Sequence, residues 1–185
     1  MESPATWAST LRSMHLDGVT EIIPAASTVV VHCDPMASDH VGALLDTVTS
    51  GPAVVLDHEI VELDVVYDGP DLADVASMAD ITVAEAINLH ESVTYRVGFC
   101  GFSPGFAYLT GLAEQLQLPR RTSPRTVVPA GSVAIAAGYT AVYPSASPGG
   151  WHLIGRTDAP VWDERRATPA LLQPGALVRF REIRR

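Results

Sequence analysis

Three arginines fall within six residues in the segment PRRTSPRTVVPAGSV: Arg120, Arg121 and Arg125. Guanidinium groups are planar, permanently charged and forked, so a cluster of them matches a carboxylate or a phosphate. Pro119 and Pro124 fix φ along the segment and present these groups from a stiff loop. The same residues also read as a solvated basic loop that pairs with acids elsewhere in the chain. Shortly after, Gly131 and Ser132 form a turn whose N–H groups could face an anion or a developing oxyanion.

His90 is the candidate for acid–base chemistry. It continues the apolar stripe Val83, Ala86, Ile87, which turns its ring inward. An imidazole there is either a core group satisfied by hydrogen bonds, or a partly buried general base or anion donor whose titration is tuned by burial. Spacing leaves both open. Two aromatic segments, GFCGFSPGFAYLTGL and VYPSASPGGWHLIGRT, carry Phe102, Pro104, Tyr108, Tyr143 and Trp151 among glycines that include Gly149 and Gly150. Glycine lets backbone turn tightly and approach a ligand, while the rings can wall a pocket. Arg156 closes the strand that Trp151 begins. The plain alternative is a barrel corner, with Trp151 in the core.

Composition removes several chemistries. The chain has 185 residues and no lysine: all 12 basic residues are arginine, which excludes Schiff-base catalysis and a Walker-type phosphate lysine. Residues 1–119 carry 2 Arg against 17 acids, and residues 120–185 carry 10 Arg against 4. The acidic half argues against nucleic acid as a partner, while the basic half suits a small anion. No run is long enough for a membrane span, so a cytoplasmic protein is expected. Cys33 and Cys100 lie in apolar strand-like runs and read as buried free thiols. His32, His40 and His58 form no ligand pattern, and no metal is expected.

These residues must be positioned by two kinds of element. Trp7, Leu11 and Met14 predict an amphipathic helix over 6–16. VTEIIPAASTVVVHC predicts two strands around a turn, and Val41, Leu44, Leu45 and Val48 a second helix closed by SGP. Val61, Leu63, Val65 and Tyr67 alternate as a half-buried strand. The order α-β-β-α-β predicts a small α+β domain over 1–66. Leu72, Val75, Ala76 and Ala79 mark a short helix, and Thr82 with Glu85 forms a capping box for the helix that carries His90. From Tyr95 onward the pattern becomes short strands between Gly and Pro, at 95–100, 126–128, 132–137, 140–143, 151–157 and 176–183. Residues 67–185 are therefore expected to form an all-β barrel or sandwich.

Four linked motifs, H-x4-Y-x-V…GF-x-PGF-x-YL-x-GL, PRR-x2-PR-x2-VPAGSVAI, YP-x2-SPGGW-x-LIGRT and LLQPG-x-LVRF, resemble the KipI/allophanate hydrolase subunit 1 family. The resemblance covers nearly the whole chain and is densest over 86–180. It implies a cyclophilin-like form for the barrel, and a subunit of an ATP-dependent 5-oxoprolinase that opens 5-oxo-L-proline to L-glutamate. It implies as partners a subunit 2 (KipA-like) protein and a LamB/YcsF-type protein, with the ATP site shared among subunits. It also implies catalytic roles for His90, Arg121 and Arg125. The implied substrate contacts are Phe102, Pro104, Tyr108, Arg120, Gly131, Ser132, Tyr143, Gly149, Gly150, Trp151 and Arg156. Other roles known in such proteins are a regulatory inhibitor of a sensor histidine kinase and a urea/allophanate carboxyltransferase-type component. Ala107, Tyr139, Ala141 and Ala176 stand where Pro, Gln, Gly and Asp are usual. Members usually open with a strand before the first helix, and the sequence begins at that helix, so the 1–66 domain is expected to be without its first strand here.

Overall fold

The computed structural model describes residues 4–48 and 60–184, and its contacts divide the chain into two compact units, 1–57 and 58–185. In the first, α1 (Pro4–Ser13) is followed by the antiparallel pair β1 (Val19–Pro24) and β2 (Val29–Cys33), then by α2 (Ser38–Thr47). The inward residues of α1 are Ala8 and Leu11, which meet Ile22 of β1; Met14 lies beyond the last turn and is exposed. The expected α1 stripe is thus rotated: Leu11 stays inward, and Ala8 rather than Trp7 or Met14 is buried with it. The SGP stop expected after α2 falls outside the described residues.

The strand expected to complete that first layer goes elsewhere. β3 (Ile60–Val65) alternates as anticipated, with Leu63 and Val65 buried, but it pairs in parallel with the last strand, β11 (Leu177–Glu182). Short-range pattern fixes its faces; a partner more than a hundred residues away fixes its sheet.

The second unit places α3 (Leu72–Met78) and α4 (Val83–Glu91) ahead of β4 (Tyr95–Cys100) and β5 (Ala107–Thr110). There follow β6 (Arg125–Val128), β7 (Ser132–Ala136), β8 (Tyr139–Val142), β9 (Ser147–Gly149) and β10 (His152–Arg156). Seven strands form one mixed sheet in the order β10-β7-β8-β5-β4-β11-β3, and β6 with β9 forms a separate ribbon. The two sheet edges meet where Val66 and Arg156 exchange N–H···O bonds of 2.9 Å, so the sheet is nearly closed into a barrel. The unit is therefore not all-β: two helices pack on it and one strand pair is parallel. β5 and β9, too short and too rich in neighbouring Gly and Pro to show a period, were not anticipated.

α4 starts where its capping box requires. Thr82 N–H donates to Glu85 Oε2 at 2.7 Å, and Glu85 N–H to Thr82 Oγ1 at 3.2 Å. Its buried face holds Ala86 and His90. Leu63, Tyr95, Leu109, Ile135 and Phe180 lead the main core, while Phe106, Tyr143, Trp151 and Leu153 form a second apolar cluster.

Candidate functional site

The second apolar cluster opens into a pocket of about 60 Å³ lined by Phe102, Phe106, Tyr108, Arg120, Tyr143, Pro148, Gly149, Gly150 and Trp151. Two Ser-Pro-Gly segments build it, a turn at 103–105 and strand β9 at 147–149. Each delivers a ring into the wall: Phe106 and Trp151 meet edge to face at 5.6 Å, and Tyr108 stands against both, at 5.0 and 5.6 Å. Gly149 is required, because a Cβ there would lie 2.3 Å from the Tyr143 hydroxyl. Phe102 caps the rim, 62% exposed and at φ 69°. Ser103 N–H donates to Gly101 O at 2.8 Å across it, a tight γ-turn that side-chain-bearing residues rarely adopt.

Arg120 is the cation of this pocket. It is exposed and forms no ion pair among the described residues. Burial raises the phenols of Tyr108 and Tyr143, and the Arg120 charge offsets part of that rise in both. Arg121 and Arg125 belong to a different arrangement. Their Nη1 and Nη2 donate at 2.7 Å each to one oxygen of Asp71, whose other oxygen accepts from Leu153 N–H at 2.7 Å. Burial pushes the Asp71 carboxyl up, but the Arg125 and Leu153 hydrogen bonds and the two guanidinium charges more than offset this and hold it below the ordinary value. Neither Arg121 nor Arg125 lines the pocket.

The remaining expected site residues are dispersed. Gly131 N–H donates to Tyr143 O at 2.8 Å and Ser132 N–H to Pro129 O at 3.3 Å, so both expected backbone donors are engaged within the fold. A Cβ on Gly131 would lie 2.3 Å from Thr157 O, and close packing is what this glycine serves. Pro104 is exposed in its turn and lies off the pocket. Arg156 pairs with Asp68 at 2.9 Å and borders a separate cavity of about 290 Å³ together with Glu62, Asp64, Asp158 and Arg181.

His90 is wholly buried, with both ring nitrogens engaged. The Thr140 hydroxyl donates to Ala134 O at 3.1 Å, which leaves its oxygen to accept from His90 Nε2–H at 2.8 Å. Nδ1 then accepts from the Tyr67 hydroxyl at 2.7 Å. Burial holds the imidazole down to about 3 and raises the Tyr67 phenol, so both groups are neutral. This geometry is that of the core imidazole, and it places no free His90 atom at the pocket. The general-base role implied by the resemblance has no free ring nitrogen to act through here. Cys33 and Cys100 are unpaired and half-buried rather than buried.

Asp71, Tyr67 and Thr140 carry these arrangements and were not read from sequence. Asp71 precedes α3 as a capping residue would, yet its side chain makes no cap hydrogen bond. That mismatch is visible only once its partners, 50 to 82 residues away, are in place.

Among the described residues no helix is long and apolar enough to cross a membrane. The chain is 42% identical over 180 residues to a subunit of the 5-oxoprolinase of Escherichia coli O157:H7, covering 94% of this chain and 83% of that protein. The crystal structure of TTHA0988 superposes with a TM-score of 0.84 at 36% identity, over 98% of this chain and 37% of that one, so the chain spans little more than a third of that neighbour. Kluyveromyces lactis urea carboxylase shares the fold, at TM-score 0.69 and 18% identity over 97% of this chain and 20% of its own. Residues 2–172 match the carboxyltransferase domain, subdomain C and D, and the chain belongs to that family.

Proposed function

We propose that this chain is a subunit of an ATP-dependent 5-oxoprolinase that opens 5-oxo-L-proline to L-glutamate, acting with a subunit 2 (KipA-like) and a LamB/YcsF-type partner. The observation that carries the reading is the aromatic pocket with an arginine at its rim that is unpaired among the described residues, in a chain 42% identical to a 5-oxoprolinase component. The substrate is a small flat lactam that bears a carboxylate. Rings offer faces to the lactam, glycine backbone lets it approach closely, and a guanidinium fits the carboxylate.

The reaction breaks the ring C–N bond and adds water across it, giving a carboxylate and an amine. A lactam nitrogen is a poor leaving group, so activation of the carbonyl oxygen by phosphate is the step that would require ATP. Neither the aromatic pocket nor the cavity beside Arg156 fits a nucleotide. The pocket is small, and the larger cavity presents Glu62, Asp64 and Asp158 beside arginines already paired. We therefore assign the ATP site to a place shared with the partners, and to this chain the holding and orienting of the substrate. Alone it is expected to be inactive or weak.

The test is co-expression with both partners and measurement of glutamate released from 5-oxo-L-proline with and without ATP. ATP-dependent release is the expected result. A well-assembled complex without turnover would contradict the reading and favour a KipI-like regulatory inhibitor or a urea/allophanate carboxyltransferase-type component.

A further inference from the structure

The three arginines of the 119–125 loop differ in what they are free to do. Asp71 is 2% exposed and all its acceptor contacts are internal: Arg121, Arg125 and Leu153 N–H. Two guanidiniums are fixed on one counter-charge, with side chains only 29% and 25% exposed. Arg121 Nε and Arg125 Nη1 are buried without a partner, turned away from solvent. Arg120, one residue earlier, is exposed, unpaired among the described residues and at the pocket wall.

We propose that Asp71 divides these arginines between two jobs: Arg121 and Arg125 brace the loop, and Arg120 alone selects a ligand carrying a carboxylate on a small flat ring. The proposal rests on reading the aromatic pocket as the substrate site. Arg121 N–H donates to Gly150 O at 2.8 Å, and a Cβ on Gly150 would touch Pro124 at 3.5 Å, so the braced loop and the pocket wall move as one piece. Fixing Arg121 therefore fixes where Arg120 stands relative to the rings. Asp71 is a positioning residue, and Arg120 determines specificity.

The test is calorimetric titration of the full chain with two matched pairs: 5-oxo-L-proline against its carboxamide, and benzoate against benzamide. Wild type should favour each acid by roughly tenfold or more, the scale of one charge-assisted hydrogen bond. Arg120→Ala should bring the acids down to the level of the amides and leave the amides unchanged. Arg121→Ala, checked for folding by its melt, should weaken acid and amide alike, because it disturbs shape rather than the selecting charge. Adding Asp71→Asn to Arg120→Ala releases the braced pair, and part of the acid preference should return; a merely structural Asp71 would not restore it. An acid preference that survives Arg120→Ala, or one lost in folded Arg121→Ala while Arg120→Ala keeps it, overturns the proposal. A chain that favours both acids, in a complex that opens no 5-oxo-L-proline, keeps this inference and loses the enzymatic reading. A chain with no acid preference in either pair loses this inference whatever the complex turns over.

Discussion

His90 and Asp71 are both nearly inaccessible to water, and the fold treats them in opposite ways. Around His90 burial wins: the ring stays neutral and joins a directional chain, Tyr67 to His90 to Thr140 to Ala134 O. Around Asp71 burial is outweighed by two guanidiniums and a backbone N–H, and the group stays ionised. The neutral chain ties α4 and the segment after β3 to the barrel strands and leaves no charge for chemistry. The ionised cluster holds two positive charges on one negative, beside a third at the pocket. Of two buried polar sites, the charged one is the one that braces the loop beside the pocket.

The largest expected effect separates them by stability. Asp71→Ala strands two partly buried guanidiniums and should cost about 3–5 kcal/mol in urea unfolding. His90→Ala leaves a cavity and a Tyr67 hydroxyl without its acceptor, while Thr140 keeps its bond to Ala134 O, at about 2–4 kcal/mol. Their pH dependences should differ as well. His90 is neutral in the fold down to about 3 but protonates near 6.5 when unfolded, so its contribution is complete above 6.5 and declines as pH falls toward 3. Asp71, held below its ordinary 3.8, contributes fully above that value and loses it only as pH falls through the lower folded value. Stability measured between pH 6.5 and 4 should therefore flatten in His90→Gln and keep its slope in Asp71→Asn. Gly149→Ala pushes a methyl into the Tyr143 hydroxyl and should cost about 1–3 kcal/mol, with loss of ligand binding. Thr82→Ala, at the exposed start of the helix that carries His90, should cost only about 1 kcal/mol in the same assay, through the lost cap.

Much of this arrangement is legible in the sequence where the cause is local. Thr82 and Glu85 sit three apart and form the expected capping box, and His90 turns inward with Ala86, while Val83 of the expected stripe is exposed. The aromatic pocket is legible because glycine, proline and rings are concentrated in two short segments. What depends on distant partners is not. β3 shows its two faces but not that it joins β11, and the Gly131–Ser132 turn does not reveal that Tyr143 O takes the Gly131 N–H. The arginine cluster looks like three equal anion contacts until Asp71 claims two of them.

The most direct test of the account compares two variants of the assembled complex in ATP-dependent glutamate release from 5-oxo-L-proline. The account expects Arg120→Ala to raise KM by roughly tenfold or more, as loss of one charge-assisted contact requires, while folded His90→Gln keeps kcat/KM within a few-fold of wild type. Loss of turnover in folded His90→Gln, with Arg120→Ala behaving as wild type, would contradict it and move the chemistry into the core.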